Sequence, residues 1–359
     1  MILGIVGVAV LSLVLLVVFG YLTVALGPGA VVVGFIAALV PLAVVLAAVA
    51  WIDRWEPEPR LALLFAFLWG AAASVMIALV VDLGVEVTSL LTTGQETSDI
   101  FGAAVQAPIV EESAKALGLL ILFFAAHKHF SGPVDGLVYA IVIAAGFAFT
   151  ENIQYFGVAL VEGGFDEFGL TFFMRAVMSP FAHATFTALT GIALGLAARK
   201  YRGFGALGYA LVGLLGAILL HALWNGATFI ATTLESYLSY FLLVQVPIFL
   251  ALIIMTVLVR RHEVRLTRAR LSEYAKSGWF TPTEVDMLAT WPGRRQARAW
   301  ARTLPGNRSA AMKIFTRDAT RLAMTRQRMI TGRNELVHRK TEDELLTAVT
   351  AARKQLLSP

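Results

Sequence analysis

The sequence predicts an all-α fold: a polytopic bundle of about eight transmembrane helices, followed by a helical cytoplasmic C-terminal tail. Two observations support this prediction. Of the 359 residues, 58% are hydrophobic and only 15% are charged, a composition too apolar for a soluble domain with a polar surface. In addition, apolar runs of the roughly 20 residues needed to cross a bilayer recur until Arg260.

Each predicted span is an apolar run bounded by polar or charged residues. The eight runs cover residues 2–26, 31–52, 61–82, 101–126, 134–160, 171–198, 204–231 and 237–259. We therefore assign residues 1–260 to a transmembrane domain and residues 261–359 to a basic cytoplasmic tail.

The connections between the predicted spans alternate in charge. Every second connection carries Lys or Arg, and three of the intervening connections carry acidic residues without Lys or Arg. The basic residues are Arg54, Arg60, Lys128, Arg199, Lys200, Arg202, Arg260 and Arg261. By the positive-inside rule, both termini are expected in the cytoplasm. We expect the membrane to be the plasma membrane.

The tail differs sharply in charge from the rest of the chain. From Arg260 onwards lie 21 of the 29 Lys and Arg, but only 9 of the 24 Asp and Glu. Turn signals at Trp291-Pro292-Gly293 and Leu304-Pro305-Gly306 divide it, so we expect short helices. Such a basic segment beside a membrane favours contact with anionic lipid headgroups. No nucleic-acid motif is visible, and no nucleic-acid partner is expected.

The sequence contains no cysteine. Disulfide frameworks, Cys-liganded zinc, iron-sulfur clusters and thiol nucleophiles are therefore excluded.

The fourth predicted span carries three charged residues near its middle: Glu111, Glu112 and Lys115. Ionisable residues inside a span cost about 2.5 to 3.5 kcal/mol each, so they usually face the bundle interior or an aqueous cavity. Lys115 follows the glutamates by four and three residues, a spacing that allows an ion pair with either. Adjacent residues on a helix point about 100° apart. We therefore expect one glutamate to act and the other to support it.

The fifth predicted span carries Glu151, Asn152 and Tyr155 at a similar depth. Glu151 and Tyr155 lie four residues apart and share a helix face. A hydrogen-bonded pair without catalytic function is the alternative interpretation.

The sixth and seventh spans add two histidines at this level. His183 follows Pro180, which interrupts a helix, and His221 lies one turn before Asn225. Arg175, near the end of its span, is interpreted as a structural ion-pair or snorkelling residue. A single histidine in a membrane helix is as often structural as functional. Four successive helices with polar groups at one depth are harder to explain by structure alone.

This set of residues suits hydrolysis by water. Peptide hydrolysis needs a base, stabilisation of the oxyanion and an acid for the leaving amine. In one mechanism, His183, His221 and a glutamate, which we assign as Glu151, bind Zn²⁺ or another divalent metal while a second glutamate is the base. In the other, a glutamate acts directly, and the histidines and Asn225 stabilise the oxyanion. The helical zinc motif His-Glu-x-x-His is absent, so both mechanisms remain open.

Two non-proteolytic functions compete with this interpretation. Intramembrane Glu and His also form proton or ion sites in transporters, but no internal repeat is visible. A non-catalytic scaffold that retains the fold would not need the glutamates for its function.

At these residues the sequence resembles the PrsW family of intramembrane proteases, which is related to the CAAX prenyl proteases. The matching motifs, in order along the chain, are Glu111-Glu112-x-x-Lys115, Glu151-Asn152-x-x-Tyr155, His183 and His221-x-x-x-Asn225. The CAAX enzymes carry Arg four residues after the second glutamate, whereas here Lys115 follows Glu112 by three. This departure favours the PrsW branch.

The resemblance implies an endopeptidase that cleaves a single-pass membrane protein, typically an anti-sigma factor, near its outer membrane boundary. It also implies that Glu111 and Glu112 are essential, with Glu111 as the base, and that His183 and His221 belong to the site. The family is conventionally counted among metallopeptidases.

Overall fold

A computed structural model describes residues 2–125, 130–199, 203–331 and 335–358. The described residues form helices and the turns between them, as the sequence predicted. Three residues used to orient the chain, Lys128, Lys200 and Arg202, lie outside the described residues.

The chain divides into two compact units, and the first contains most residues up to Met255. Its helices are α1 (Ile2–Leu26), α2 (Pro28–Ile52), α3 (Arg60–Leu68), α4 (Val75–Thr93), α5 (Asp99–Phe101), α6 (Ala107–Ala125), α7 (Pro133–Phe172), α8 (Ala182–Ala198), α9 (Leu207–Ile230), α10 (Leu234–Tyr240) and the first part of α11 (Val246–Lys276).

Four π-helical turns interrupt or extend these helices. They lie at Trp69–Ser74, Gly102–Gln106, Phe173–Met178 and Phe241–Gln245. The helix that precedes α8 ends at Met178, and Pro180 lies in the break, as predicted. Helix α7 also changes direction at Gly164, whose positive φ of 66° falls outside the helical region.

Six helical stretches of the described chain are long and apolar enough to cross a membrane. They are Ile2–Leu26, Pro28–Ile52, Arg60–Thr93, Pro133–Ala198, Phe204–Ala227 and Leu234–Lys276. Pro133–Ala198 contains both the fifth and sixth predicted spans. Helix α6, with three charged residues, is not among the six. The number of eight spans therefore stays a prediction.

Helix α7 lies at the centre of the first unit, with α2, α3 and α8 packed against it. A close crossing joins α7 to α8. A Cβ atom added to Gly136 would lie 1.9 Å from the carbonyl oxygen of Gly191, and one added to Gly191 would lie 2.2 Å from that of Gly136. Only glycine allows the two backbones to approach this closely. This crossing sets the distance between the helices that carry Glu151 and His183.

Gly136→Ala is expected to separate α7 from α8 and to lower the free energy of unfolding by about 1 to 3 kcal/mol, because overpacking forces the backbone to move. The matched control is Gly169→Ala in the same helix, where an added Cβ meets nothing within 4 Å. This control should be neutral or slightly stabilising. Thermal denaturation in detergent measures both variants, and equal loss of stability in the two would contradict the close-crossing argument.

The second unit contains most of the chain after Thr256, together with Arg54–Pro57. Besides the end of α11, it comprises α12 (Pro282–Leu288), α13 (Trp291–Thr303), α14 (Ser309–Thr331) and α15 (Glu335–Leu357). Helices α14 and α15 have 23 residues each, so the prediction of short helices was wrong for them.

The predicted turn at Trp291-Pro292-Gly293 was also wrong. These residues form the first turn of α13, where the Thr290 hydroxyl accepts a hydrogen bond from the Gly293 amide at 3.1 Å. Proline is well suited to a first helical turn because its missing N–H has no intrahelical partner there. The second predicted turn, at Leu304-Pro305-Gly306, does lie between two helices.

Arg294 is the central polar residue of the second unit. Its guanidinium donates hydrogen bonds to the Leu288 carbonyl (2.7 Å), the Trp55 carbonyl (2.8 Å) and the Thr320 hydroxyl (2.6 Å). It also lies 3.3 Å from the centroid of the Trp55 ring. Burial lowers the pKa of Arg294 to about 9. These contacts offset the cost of burying the charge and tie the segment around Trp55 to the second unit.

Candidate active site

Lys115 lies at the centre of a buried polar cluster that joins α6 to α8. Its ammonium nitrogen is 3.2 Å from Glu111 Oε2, 2.8 Å from Glu112 Oε1 and 3.1 Å from His183 Nδ1. The side chain is fully buried and lies 3.9 Å from the centroid of the Phe147 ring. The predicted ion pair with either glutamate is confirmed, since Lys115 contacts both.

Glu112 is the more enclosed of the two adjacent glutamates, with a relative exposure of 1%. Its Oε2 accepts a hydrogen bond from the Thr187 hydroxyl at 2.9 Å, and its Oε1 lies 3.2 Å from His221 Nδ1. The His221 ring stacks on Phe186, with centroids 4.6 Å apart. Groups from three helices therefore fix the orientation of this carboxylate.

Glu111 faces a different environment. Together with Glu151 and Tyr155 it lines a cavity of about 650 Å³. Five carboxylates and no Lys, Arg or His are among the described residues lining this cavity; the other three acids are Asp82, Glu86 and Asp99. Glu111 is thus the member of the pair that borders open space.

Glu151 connects His183 to Arg175. Its Oε2 lies 2.8 Å from His183 Nε2 and also pairs with the Arg175 guanidinium. Arg175 donates a second hydrogen bond, at 2.6 Å, to Asn152 Oδ1, and its guanidinium carbon lies 4.0 Å from the centroid of the Tyr155 ring. The three residues predicted on α7 therefore meet at one arginine. The interpretation of Arg175 as an ion-pair residue is confirmed.

Asn225 occupies the edge of the cluster. Its side-chain amide donates a hydrogen bond to the Ala103 carbonyl at 2.9 Å. It also lines a cavity of about 150 Å³ with Arg175 and His183. The structure thus places Glu111, Glu112 and His183 around Lys115, with His221 against Glu112 and with Asn225 lining a cavity that His183 also borders.

Comparison with known proteins identifies the family of this chain. A family model described as "PrsW family intramembrane metalloprotease" matches residues 58–252, which include every predicted site residue. The chain belongs to the PrsW family. It is therefore a multi-pass integral membrane protein and an intramembrane metalloprotease.

Individual relatives agree with the family match. The chain is 32% identical over 203 residues to Protease PrsW of Clostridioides difficile (strain 630), which covers 53% of this chain and 77% of the relative. Protease PrsW of Geobacillus kaustophilus (strain HTA426) is 30% identical over 145 residues, covering 40% of this chain and 58% of the relative. Protease PrsW of Bacillus subtilis (strain 168) is 32% identical over 133 residues, covering 37% and 55% respectively. No solved structure matches the chain.

Four residues of this PrsW-family site form a group that could hold a metal ion: Glu111, Glu112, His183 and His221. One donor atom from each lies within 4.8 Å of the others. Two imidazoles and two carboxylates suit Zn²⁺. The Lys115 ammonium already contacts donor atoms of three of these residues, which is the environment expected of a cation site. The donor set fits a divalent ion, provided that the ammonium moves away when the ion binds.

Glu151, the third ligand expected from the sequence, does not belong to this group. Its carboxylate instead contacts Nε2 of His183 and the guanidinium of Arg175. A carboxylate in this position fixes the orientation of the His183 ring, so that its other nitrogen, Nδ1, faces Lys115 and the two adjacent glutamates. The expected ligand set of His183, His221 and Glu151 stays a prediction.

Sequence reasoning missed two polar residues near the site. Thr187 donates to Glu112, and its position four residues after His183 on the same helix face was a usable signal. Gln245 lines the same cavity as His183 and Asn225. It is a buried amide in an otherwise apolar stretch, which is also a visible signal.

Proposed function

We propose that this chain cleaves a single-pass, membrane-anchored regulatory protein of the anti-sigma-factor kind, by attack of water on a peptide bond near the outer membrane boundary. Glu111 is the general base. The observation that carries this assignment is the contrast between the two adjacent glutamates. Glu111 borders a cavity large enough to hold water, whereas Glu112 is held by Lys115, Thr187 and His221.

The proposed reaction uses Glu111 twice. Its carboxylate removes a proton from water as the water oxygen forms a bond to the peptide carbonyl carbon. The tetrahedral intermediate then collapses, the C–N bond breaks, and Glu111 passes the proton to the leaving nitrogen. Asn225 stabilises the negative charge that develops on the carbonyl oxygen, and in the metal-free alternative the histidines contribute to this stabilisation. The net reaction consumes one water and yields a carboxylate and an amine.

Glu112 and Glu151 orient the reacting groups in this scheme. Glu112 holds Lys115 beside Glu111 and faces His221, while Glu151 holds the His183 ring through Nε2. Neither carboxylate needs to contact the substrate.

The divalent metal of the family would be held by His183, His221 and the Glu112 carboxylate, which leaves Glu111 as the base. When bound, the metal supplies Lewis-acid activation of water and of the peptide carbonyl. We propose Zn²⁺ because imidazole and carboxylate ligands both suit it.

Removal of a histidine ligand is expected to lower the metal content of the purified protein at least about tenfold, since ligand loss weakens binding strongly. His183→Ala and His221→Ala are the variants, and elemental analysis by mass spectrometry is the measurement. His262→Ala, a substitution of an exposed histidine in the second unit, is the control. The same metal content in all four proteins would contradict the proposed ligands.

The orientation of the chain in the membrane and the location of its tail are also proposed. We infer that both termini lie in the cytoplasm of a cell whose plasma membrane contains the protein, with residues 261–359 on the cytoplasmic side. The many basic residues of this segment would then face anionic headgroups. The substrate would be cut from the opposite side, where the predicted connections are acidic.

Membrane proteomics tests the proposed function. Cells that express the wild type or Glu111→Gln are compared under envelope stress, and truncated single-pass proteins are sought. Fragments that appear only with the intact glutamate support proteolysis and identify the substrate. If none appears although both proteins accumulate equally, the proposal is wrong, and ion flux becomes the next measurement.

A further inference from the structure

Gln245 has a buried amide whose oxygen lacks a partner. The residue ends the π-helical turn Phe241–Gln245 and has a relative exposure of 2%. Its Oε1 forms no hydrogen bond with any described residue. Burial of an unsatisfied polar group costs about 1 to 3 kcal/mol, so such a group in a native structure calls for an explanation.

Two cavities meet at Gln245. The first, of about 150 Å³, is the polar cavity bordered by Arg175, His183 and Asn225. The second, of about 200 Å³, is largely apolar and is bordered by Phe181 and Phe249. Both are also lined by Gln245, and by Ser179, Pro180, Ala182 and Trp224. The shared residues make the two cavities neighbours, and His183 borders the polar cavity only.

We propose that these two cavities form one substrate groove, in which the Gln245 amide hydrogen-bonds the backbone of an unwound substrate segment beside the scissile bond. This inference rests on the proposed function and adds a binding residue to it. A large apolar substrate side chain occupies the apolar cavity, and the scissile carbonyl lies in the polar cavity next to His183.

The chemistry of an unwound peptide explains the choice of an amide. A substrate helix must unwind before a protease can cut it, which frees backbone N–H and C=O groups inside the membrane. Each unsatisfied group costs several kcal/mol in this environment, so the protein must supply partners. A primary amide offers both an acceptor and donors, which is what a peptide backbone requires. The free Oε1 of Gln245 is suited to accept from one backbone N–H of the substrate.

Position 245 can be tested without any cleavage, because the chain has no cysteine and a single introduced cysteine can be labelled specifically. Gln245→Cys is made in Glu111→Gln protein, labelled with a benzophenone maleimide and placed in lipid nanodiscs. The probe is a synthetic single-span Leu/Ala peptide with a Gly-Pro break at one membrane boundary. The control is Leu243→Cys, in the same turn but 76% exposed.

Illumination should crosslink the peptide from position 245 at least fivefold more than from position 243, and at residues next to the Gly-Pro break. Equal crosslinking from the two positions, or crosslinks spread along the peptide, would overturn the groove. Because crosslinking requires no cleavage, the result does not depend on the proposed proteolysis.

The cleavage kinetics of a Gln245 variant, made in otherwise wild-type protein, give a second test. Gln245→Met retains the side-chain length but removes the hydrogen-bonding groups. It should raise KM about tenfold and leave kcat within about twofold, because the lost bond is made equally in ground and transition states. An unchanged KM would overturn the role of Gln245. If the wild type cuts no single-pass protein while the crosslinks remain specific, the proposed function fails and the groove stands as a peptide-binding site.

Discussion

Replacing Glu111 by glutamine should reduce the rate of substrate cleavage by at least about 100-fold, because a general base contributes roughly 10² to 10⁴ to such a reaction. The amide retains the size of the carboxylate but cannot take a proton from water. The protein should still insert and accumulate, since the Lys115 ammonium keeps Glu112 as a partner at 2.8 Å. Quantification of the fragment and of the full-length protease in the same membranes measures both effects.

Two further variants test whether the loss of cleavage is specific to the polar cluster. Glu112→Gln should also abolish cleavage, because the carboxylate that holds Lys115 and faces His221 is lost. Glu162→Gln, an exposed substitution in α7, should leave cleavage unchanged. If Glu111→Gln cleaved as fast as Glu162→Gln, the assignment of the base would have to be abandoned.

Replacing Lys115 by methionine should cause the largest loss of stability among the substitutions considered, about 3 to 5 kcal/mol. The ammonium is the positive charge between Glu111 and Glu112, whose carboxylates have only 11% and 0% exposure. Methionine fills much of the same volume but leaves two buried carboxylates without this counter-charge. Retention of monodisperse protein after heating in detergent measures the loss.

A double variant separates electrostatics from packing. If the uncompensated charge causes the loss, Lys115→Met combined with Glu112→Gln should be more stable than Lys115→Met alone, because one buried charge is removed with its partner. A double variant no more stable than the single one would contradict the electrostatic explanation of the loss.

The sequence predicted which residues form the polar cluster but not which of them contact one another. The depth of Glu111, Glu151, His183 and His221 could be inferred from the rise of 1.5 Å per residue, and the pairing of Lys115 with Glu111 followed from the spacing along one helix. Both inferences require only the geometry of a single helix.

Contacts between helices could not be predicted in this way. The contact of Lys115 with His183, and that of Arg175 with Glu151, depend on how α6, α7 and α8 are rotated about their axes. Hydrophobic periodicity usually reports this rotation, but much of α7 is buried on all sides, and a helix in lipid is apolar all round. The sequence therefore contained little information on which face of each helix points to the site.

Breaks in helices were predictable only where proline marks them. Pro180 indicated the interruption before His183, whereas the change of direction at Gly164 depends on one glycine among many in this chain. In the second unit, the Trp291-Pro292-Gly293 motif was ambiguous, because proline followed by glycine occurs in turns and proline also begins helices. In the structure the Thr290 hydroxyl caps the first turn, and the motif begins a helix.

The most direct test of the central claim is cleavage by the purified protein in liposomes, with H₂¹⁸O as solvent and the single-pass protein found by proteomics as substrate. The account predicts two fragments, with one ¹⁸O atom in the new C-terminal carboxylate, at a bond near the outer membrane boundary. The Glu111→Gln protein should give neither fragment. Cleavage that persists in Glu111→Gln, or a wild-type protein that leaves the substrate intact while it binds it, would contradict the account.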